Sequence, residues 1–377
     1  MQSKEIMKIK PTLIHGWLLA AFLILPAAVQ AQFDFTTNDD GSLNISGYTG
    51  PGGAVVTPST TNGLPVTSIG YQVFYYNDSI TSVSIPDSIT SLGSFYFCTS
   101  LTNITIGNGV TSITGETFTG CSSLSGATIG NSVTNIGSEA FYGCASLTDI
   151  TIPASVIFFT NNAFFKCTSL TAITVDAQNP VYSSVNGVLF DKSQTTLIEF
   201  PEGVGSSYTI PNGVTDIEDD AFFYCSNLTS SIIPGSVTNI ESEAFGEAGN
   251  PFKAYFNGPA PTVGSEVFLN DDATVYYLPG TKGWGTTLSG APTALWFLSN
   301  PLILNNGPGF GVQTNRFDFT ISWATNLSVI VEACTNLANP IWSPVATNRL
   351  TSGVSFFSDP QRINNYSGRF YRISSMP

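Results

Sequence analysis

Four carboxylates stand at matching positions in two similar segments of the chain. Glu218 and Asp220 lie in the first segment, and Glu241 and Glu243 lie 23 residues later in the second. If the two segments stack, the like charges repel each other, and a Ca²⁺ ion bound by these oxygen ligands would relieve the repulsion. The simpler interpretation is a solvated acidic face, because exposed charges cost little in water. The four residues are therefore a weak calcium candidate, and no other metal site is predicted.

Side chains for nucleophilic or acid–base catalysis are scarce. The single His is His15, and residues 32–377 contain none, which excludes Ser-His-Asp catalysis, Cys-His catalysis and His-ligated zinc there. Arg is absent from residues 32–315. An enzyme that cleaves acidic polysaccharides on a parallel β-helix would need cations to hold its substrate, so this alternative is the less favoured one. We predict no catalytic residues and no cofactor.

The six cysteines permit two interpretations. An even number in an exported protein suggests disulfides. Five of the six, however, recur at one repeat position, where Cys commonly behaves as a small buried apolar residue. Side chains that point the same way along a column have poor geometry for a bridge, so we predict buried free thiols. The five are Cys98, Cys121, Cys144, Cys167 and Cys225, and Cys334 has no evident partner.

These residues belong to a repeat with a period of 23 residues. Its clearest copy is VTNIGSEAFYGCASLTDITIPAS, residues 133–155, and one copy is shortened to 21 residues. The copies begin at Val66, Ile89, Val110, Val133, Val156, Val214 and Val237. A Phe column accompanies the Cys column and contains Phe74, Phe118, Phe141, Phe164, Phe222 and Phe245. Such a period is typical of a solenoid, in which each unit buries its apolar set only against its neighbours.

The alternation within each copy predicts short β-strands. In LTDITI, Leu147, Ile150 and Ile152 can point inward while the intervening polar residues face outward. The sequence therefore predicts a β-rich solenoid of about seven 23-residue units over residues 66–295. We expect an N-terminal cap hairpin at residues 32–65 and a C-terminal cap at residues 249–295. Residues 179–213 are predicted to be an insertion whose hairpin projects from the solenoid.

Two exposed columns are candidate binding surfaces. The outward strand positions present small polar side chains that suit a broad, shallow contact with a protein, although Thr also simply fits an exposed strand. These positions are Asn103, Thr105, Thr128, Asp149, Thr151 and Thr174. A column of rings either stacks on sugars or packs over the turns. Its members are Tyr75, Tyr96, Tyr142, Phe165 and Phe223.

The two ends of the chain differ from the repeat. Residues 1–31 have a basic start, an apolar run from Leu13 to Leu25 and small residues at the end, which predicts a cleavable signal peptide. No apolar stretch beyond it is long enough to cross a bilayer. Residues 301–377 contain short alternating strands at intervals of about ten residues, which predicts a small C-terminal β-sandwich.

Charge separates the same regions. Residues 32–295 contain 22 acidic residues and four Lys, a net charge of −18, whereas residues 296–377 contain three acidic residues and five Arg, a net charge of +2. We call residues 32–295 the acidic arm. A nucleic acid would need a basic groove, which this arm lacks, so no nucleic-acid partner is predicted.

The repeat resembles the BspA-like leucine-rich repeat family. The resemblance rests on the C-x-S-L-T-x-I-T-I-P-x-S-V-T-x-I-x-x-x-A-F frame between Cys144 and Phe164, and it covers about residues 33–295. It implies a secreted or cell-surface protein that binds host proteins, matrix or other cells. We therefore expect a non-catalytic binding protein with an extracellular protein, matrix or glycan partner. The alternative is a structural spacer in the envelope or in a matrix.

Overall fold

The structure is a computed structural model that describes residues 32–160, 162–296, 302–304, 310–322, 327–351, 353–361 and 368–375. The predicted signal peptide lies outside these residues. Every regular element among them is a β-strand, and none of them forms a helix that could span a membrane. The chain divides into two compact units. The first is Met1–Leu147 with Ser155–Ala163, and the second is Thr148–Ala154 with Phe164–Pro377. Together they contain about ten turns of a β-solenoid, which confirms the predicted fold class.

The strands follow one another at short intervals, as the alternating pattern requires. In chain order they begin with β1 (Phe33–Thr37), β2 (Leu43–Tyr48), β3 (Gly53–Val56), β4 (Thr60–Thr61), β5 (Leu64–Ile69), β6 (Ile80–Ser84), β7 (Asn103–Thr105), β8 (Ser112–Ile113), β9 (Gly126–Thr128), β10 (Asn135–Ile136), β11 (Asp149–Ile152), β12 (Phe158–Phe159) and β13 (Ala172–Val175).

The second half of the solenoid and the C-terminal segment contribute the other strands. They are β14 (Tyr182–Val185), β15 (Val188–Asp191), β16 (Thr196–Glu199), β17 (Ser207–Thr209), β18 (Asp216–Ile217), β19 (Ser230–Ile233), β20 (Asn239–Ile240), β21 (Lys253–Phe256), β22 (Thr262–Val263), β23 (Thr274–Tyr277), β24 (Thr287–Leu288), β25 (Ala291–Leu295), β26 (Leu302–Leu304), β27 (Gly311–Gln313), β28 (Arg316–Ser322), β29 (Leu327–Cys334), β30 (Ser343–Leu350), β31 (Val354–Ser358) and β32 (Phe370–Ser375).

The first unit begins with an N-terminal hairpin, and two parallel sheets follow it along the chain. Strands β1 and β2 pair antiparallel across a turn in which Gly41 has a φ of 83°, and β2 then pairs parallel with β5. One parallel sheet has the order β3-β6-β7-β9 and the other has the order β12-β10-β8. Equivalent residues of successive coils pair in register, for example Val83 with Ile104 and Ile104 with Ala127. The 23-residue period therefore corresponds to one coil.

The second unit repeats the arrangement with longer sheets. Their orders are β11-β13, β14-β15-β16-β18-β20-β22 and β17-β19-β21-β23-β25-β24. Strands β21 to β23 keep the coil geometry through the residues that we expected to form a cap. The hairpin of β24 and β25 follows them. The sequence pattern is weaker in these coils because Ala248 replaces the repeat Cys, although Ala248 is buried like the Cys residues.

The predicted insertion does not project from the solenoid. Strands β15 and β16 form the expected hairpin, but β16 also pairs parallel with β18. Phe190, Leu197 and Phe200 are buried in the core of the second unit, and Phe200 stacks on Phe222 at a centroid distance of 4.9 Å. These apolar side chains would be exposed on a projecting hairpin, so the segment instead completes a coil. The expectation of a projecting element was wrong.

Stacked phenylalanines run through the core of each unit. Phe74, Phe95, Phe118 and Phe141 follow one another in the first unit at centroid distances of 4.9, 5.5 and 5.1 Å. Phe222, Phe245 and Phe268 follow one another in the second at 4.6 and 5.8 Å. Phe95 was absent from the predicted column because the shortened copy shifts its position by two residues. Offset ring stacks of this kind add to the free energy gained by burial.

Hydroxyl groups link the turns of neighbouring coils. Thr102 donates its hydroxyl to the carbonyl of Thr81 at 2.8 Å, and Ser125 donates to Thr102 at 3.1 Å. In the second unit Thr171 donates to the carbonyl of Thr148 at 3.1 Å, and Thr229 donates to that of Ser206 at 3.0 Å. The same carbonyls also accept a hydrogen bond from the backbone N–H of the donor residue, so each hydroxyl adds a second hydrogen bond between the coils. These bonds give one structural reason for the abundance of Thr and Ser.

The five repeat cysteines are buried and, among the described residues, form no disulfide, as predicted. Their thiols donate to Phe carbonyls of the preceding coil. Cys98 reaches Phe74 at 2.8 Å and Cys121 reaches Phe95 at 3.1 Å. A hydrogen bond to Cys98 and burial raise the pKa of the Cys121 thiol. The column therefore contributes weak hydrogen bonds and small apolar volume instead of covalent bridges.

We expect these thiols to be inert in the folded protein, because the thiolate is the reactive form and a disulfide reagent needs access to it. In folded protein of residues 32–377, all six cysteines should react with Ellman's reagent roughly a hundredfold or more slowly than in guanidinium chloride. Mass spectrometry of the alkylated protein should find no disulfide. Fast reaction of a repeat cysteine under native conditions would contradict the packing of this column.

The C-terminal strands form two antiparallel sheets. One has the order β26-β28-β27 with β31 paired to β28, and the other has the order β30-β29-β32. They share a core of Phe319, Ile321, Val329, Val331, Leu350 and Phe357. Buried Asp359 accepts a hydrogen bond from the Tyr371 hydroxyl and lies 3.2 Å from the Arg369 guanidinium. Residues 301–377 as a separate domain stay a prediction.

Candidate functional site

In the first unit, the predicted binding face lies on the outer side of the sheet that contains β7 and β9. Asn103, Thr105 and Thr128 are all exposed, and Thr105 pairs with Thr128 across the two strands. Ile104, between Asn103 and Thr105, is fully buried. Alternation along a parallel strand thus fixes which side chains face outward. We define these three residues, with Ser84 paired to Thr105, as the first face.

The predicted residues of the second unit occupy an equivalent position on β11 and β13. Asp149, Thr151 and Thr174 are exposed, and Thr151 pairs with Thr174. Asp149 accepts a hydrogen bond from the Thr148 hydroxyl at 2.9 Å. We define these three residues as the second face. Both faces offer hydrogen-bond donors and acceptors on a shallow surface, which suits recognition of a large partner.

An outward row of the second unit was not found from the sequence. On successive strands of the sheet it runs through Thr209, Ile232, Tyr255 and Tyr276. The Tyr255 and Tyr276 rings stack at a centroid distance of 5.0 Å, and the Trp296 ring lies 4.9 Å from that of Tyr255. The alternation in KAYF and TVYY was the available signal. It was overlooked because residues 249–295 were interpreted as a cap.

The four carboxylates of the calcium candidate lie in two neighbouring coils. Burial, then the charges of Glu243 and Asp219, raise the pKa of Asp220 to about 6. Glu241 accepts a hydrogen bond from the amide of Asn239. Within the described part of the chain, no group of three or more His, Cys, Asp or Glu side chains is arranged to hold a metal ion. Calcium binding stays a prediction, and an unchanged melting temperature between chelator and excess Ca²⁺ would exclude it.

Two buried carboxyl groups of the second unit were not anticipated. Burial is the main reason that the pKa of Glu202 rises to about 8, even though Glu202 accepts a hydrogen bond from the Lys166 backbone N–H. Burial, together with the charge of Glu202, raises the pKa of Glu199 well above its usual value. One Glu199 carboxyl oxygen has no hydrogen-bond partner. Both side chains are closed off from solvent, so no substrate can approach them in this conformation.

The aromatic column is present as two stacks, one in each unit. Tyr75 and Tyr96 stack at 4.8 Å with an interplanar angle of 7°, and Phe165 and Phe223 stack at 5.2 Å with an angle of 26°. Tyr142 is half-buried. In each stack the ring faces are turned toward each other, which is the packing arrangement that the sequence offered as the alternative to sugar binding. Sugar binding by this column stays a prediction.

Comparison with known proteins gives the family. A sequence profile described as "BspA type Leucine rich repeat region" matches residues 67–194 and 204–280 in six copies. A comparison with curated proteins gives no match.

Several solved structures are similar to this chain. A leucine-rich cell surface protein from Faecalibacterium prausnitzii is 28% identical, covering 65% of this chain and 86% of that one at a TM-score of 0.42. A leucine-rich repeat protein from Eubacterium ventriosum is 26% identical, with 67% and 72% covered and a TM-score of 0.44. One from Bacteroides ovatus is 24% identical, with 65% and 70% covered and a TM-score of 0.48. Because the family profile matches more than half of the residues, the chain belongs to the BspA-type leucine-rich repeat family.

Proposed function

We propose that this protein is exported and binds an extracellular protein, matrix or glycan partner through the first and second faces. The observation that supports this most is that all six side chains selected from the sequence are exposed, while Ile104, Ile150 and Ile173 on the same strands are buried. Placement outside the cell is supported by the signal-like sequence of residues 1–31 and by the family.

A binding role without catalysis fits the chemistry of these surfaces. The first face carries hydroxyl and amide groups and no titratable side chain, while the second carries one carboxylate, Asp149. Such groups form hydrogen bonds across a wide contact but do not form a nucleophile–base pair. A spacer is the alternative that the same architecture permits. A polysaccharide-active enzyme is disfavoured because the acidic arm would repel an acidic substrate.

The proposal predicts that bulk and charge on the first face reduce binding. Mature protein, residues 32–377, would be passed over immobilised matrix proteins and glycans in a surface plasmon resonance screen. For any partner that binds through the first face, the double substitution Thr105→Arg and Thr128→Arg should lower the affinity by about tenfold or more. The matched control is Thr111→Arg with Asn131→Arg, which adds the same charge at exposed positions outside this sheet.

The two outcomes that count against the proposal are distinct. Wild-type protein that binds no partner above background would favour the spacer. Binding that is weakened equally by the control pair and by the face pair would show a general charge effect. Equivalent substitutions at Thr151 and Thr174 test the second face separately.

A further inference from the structure

Several coils have two residues in the left-handed region of φ, four positions apart, as at Glu116 and Gly120. Most coils have a left-handed residue at the later of these positions, just before the position of the repeat Cys. In the first unit these residues are Tyr76, Phe97, Gly120 and Gly143, and in the second they are Lys166, Tyr224, Glu247 and Asn270, with φ between 53° and 73°. We call this set the turn column. A residue other than glycine is uncommon in this region of φ. Bulky aromatic residues at two successive turns are therefore unusual.

The first unit carries an exposed aromatic patch around this column. Tyr71, Tyr76 and Phe97 are 56%, 61% and 39% exposed. The Tyr76 and Phe97 rings stack at 5.5 Å, and the Tyr76 ring stands edge-on to those of Tyr75 and Tyr96 at 4.8 and 5.6 Å. We define the five residues as the aromatic patch. Contiguous exposed apolar surface of this kind marks a site of interaction.

The patch borders a glycine of the next coil and lies in an acidic region of the chain. A Cβ atom at Gly120 would lie 2.9 Å from the Phe97 ring, so the glycine lets this ring lie on the next coil. Desolvation raises the pKa of Tyr96, and the electrostatic effects of Tyr76 and then Glu116 raise it further. Glu139 contributes in the same direction. Residues 32–147 and 155–163 contain seven acidic residues and no Lys, Arg or His.

The second unit has a similar group of rings with a cation in contact with it. Its turn column places the Lys166 ammonium group 4.6 Å from the centre of the Tyr224 ring. Phe165 and Phe223 stack beside this pair, as Tyr75 and Tyr96 do in the first unit. The chain thus supplies its own cation at the second set of turns, whereas residues 32–147 and 155–163 of the first unit include no Lys, Arg or His to do so. Attraction of a cation to ring faces is strengthened by nearby carboxylates.

We propose that the aromatic patch of the first unit binds lysine or arginine side chains of a basic protein partner. The rings supply cation–π contacts, and Glu116 and Glu139 supply the charge that attracts the partner. Acidic polymers are excluded by the same charge. The patch shares no residue with the first and second faces, and its role does not depend on theirs.

The test measures binding of an octalysine peptide to the mature chain by isothermal titration calorimetry at physiological ionic strength. The double substitution Tyr76→Asn and Phe97→Asn removes two rings without changing the charge. Asn suits a left-handed turn, and Asn270 occupies this column with a φ of 59°. We expect the double substitution to weaken octalysine binding by about tenfold. Phe158→Asn, which removes a ring that is 64% exposed elsewhere in the first unit, should leave the affinity unchanged.

A second variant supplies the cation from within the chain. Tyr76→Lys reproduces the arrangement of Lys166 and Tyr224, so it should occupy the Phe97 ring and weaken octalysine binding to a similar extent. Thermal unfolding of each variant checks that the fold is retained. The proposal is overturned if octalysine does not bind, or if it binds the ring-deleted protein as tightly as the wild type. Ring-dependent binding of maltoheptaose without ring-dependent binding of octalysine would also overturn it and would assign the patch to neutral glycans.

Discussion

Glu202→Gln should increase the free energy of unfolding at pH 7 by roughly 3 kcal/mol. Burial raises the pKa of Glu202 from 4.5 to about 8 in the folded protein. The stability that belongs to the protonated group is fully present below pH 4.5 and is lost as the pH rises through about 8. Glutamine is neutral at every pH and can still accept the hydrogen bond from the Lys166 N–H. The variant therefore avoids the cost of a buried charge.

Denaturant unfolding at a series of pH values measures this effect. The variant and the wild type should have similar stability at pH 4, and the difference should grow between pH 4.5 and 8 and then level off. Glu266→Gln, at an exposed turn position of the same unit, is the matched control and should show no comparable gain. A Glu202→Gln variant that is less stable than the wild type at pH 8 would mean that the interactions of the carboxylate with Lys166 outweigh the cost of burying its charge.

Phe222→Ala should cost about 3–5 kcal/mol of unfolding free energy. The Phe222 ring is fully buried between Phe200 and Phe245, at centroid distances of 4.9 and 4.6 Å. Removal of the ring leaves a cavity that rigid neighbouring coils cannot close, and it interrupts the stack on both sides. Phe200 comes from the predicted insertion, so the same stack ties that segment to the regular repeats.

Thermal and denaturant unfolding provide the measurement, with Phe356→Ala as the control. Phe356 is 54% exposed in the same unit, and its loss should change the unfolding free energy by less than about 1 kcal/mol. Phe200→Ala should destabilise the protein to a similar degree as Phe222→Ala, because both rings belong to one stack. If Phe200→Ala behaved like the exposed control, the insertion would not be part of the solenoid core.

The repeat was predictable because its columns are matched in residue type and spacing. The Phe and Cys residues recur every 23 residues, and each coil buries them against the equivalent residues of its neighbours. Two deviations were harder to predict. The shortened copy displaced Phe95 from its expected position, and residues 179–213 lack the Cys and Ala-Phe signals. Their strands join the solenoid through parallel pairing, for example of Leu197 with Ile217 and of Tyr208 with Ser231, and this pairing has no signal in the residue types.

The candidate surfaces were predictable to different degrees. Period-two alternation identified the exposed Thr residues correctly, since one face of each strand has to be buried. Burial of Glu199 and Glu202 could not be predicted, because it depends on the path of the chain after β16. The exposed rings of Tyr76 and Phe97 were missed for a related reason. Both residues occupy left-handed turn positions with exposed side chains, whereas aromatic residues in an apolar repeat are generally expected in the core.

Photo-cross-linking from the first face tests the central claim of a binding solenoid most directly. A benzophenone amino acid would replace Thr128 on the face or Asn131 in the turn that follows, and the labelled mature protein would be presented to the producing cells and their surrounding matrix. The proposed function predicts covalent conjugates of higher mass from position 128 and few or none from position 131. Equal cross-linking at both positions, or no conjugate from position 128 while the protein remains bound to its surroundings, would contradict it.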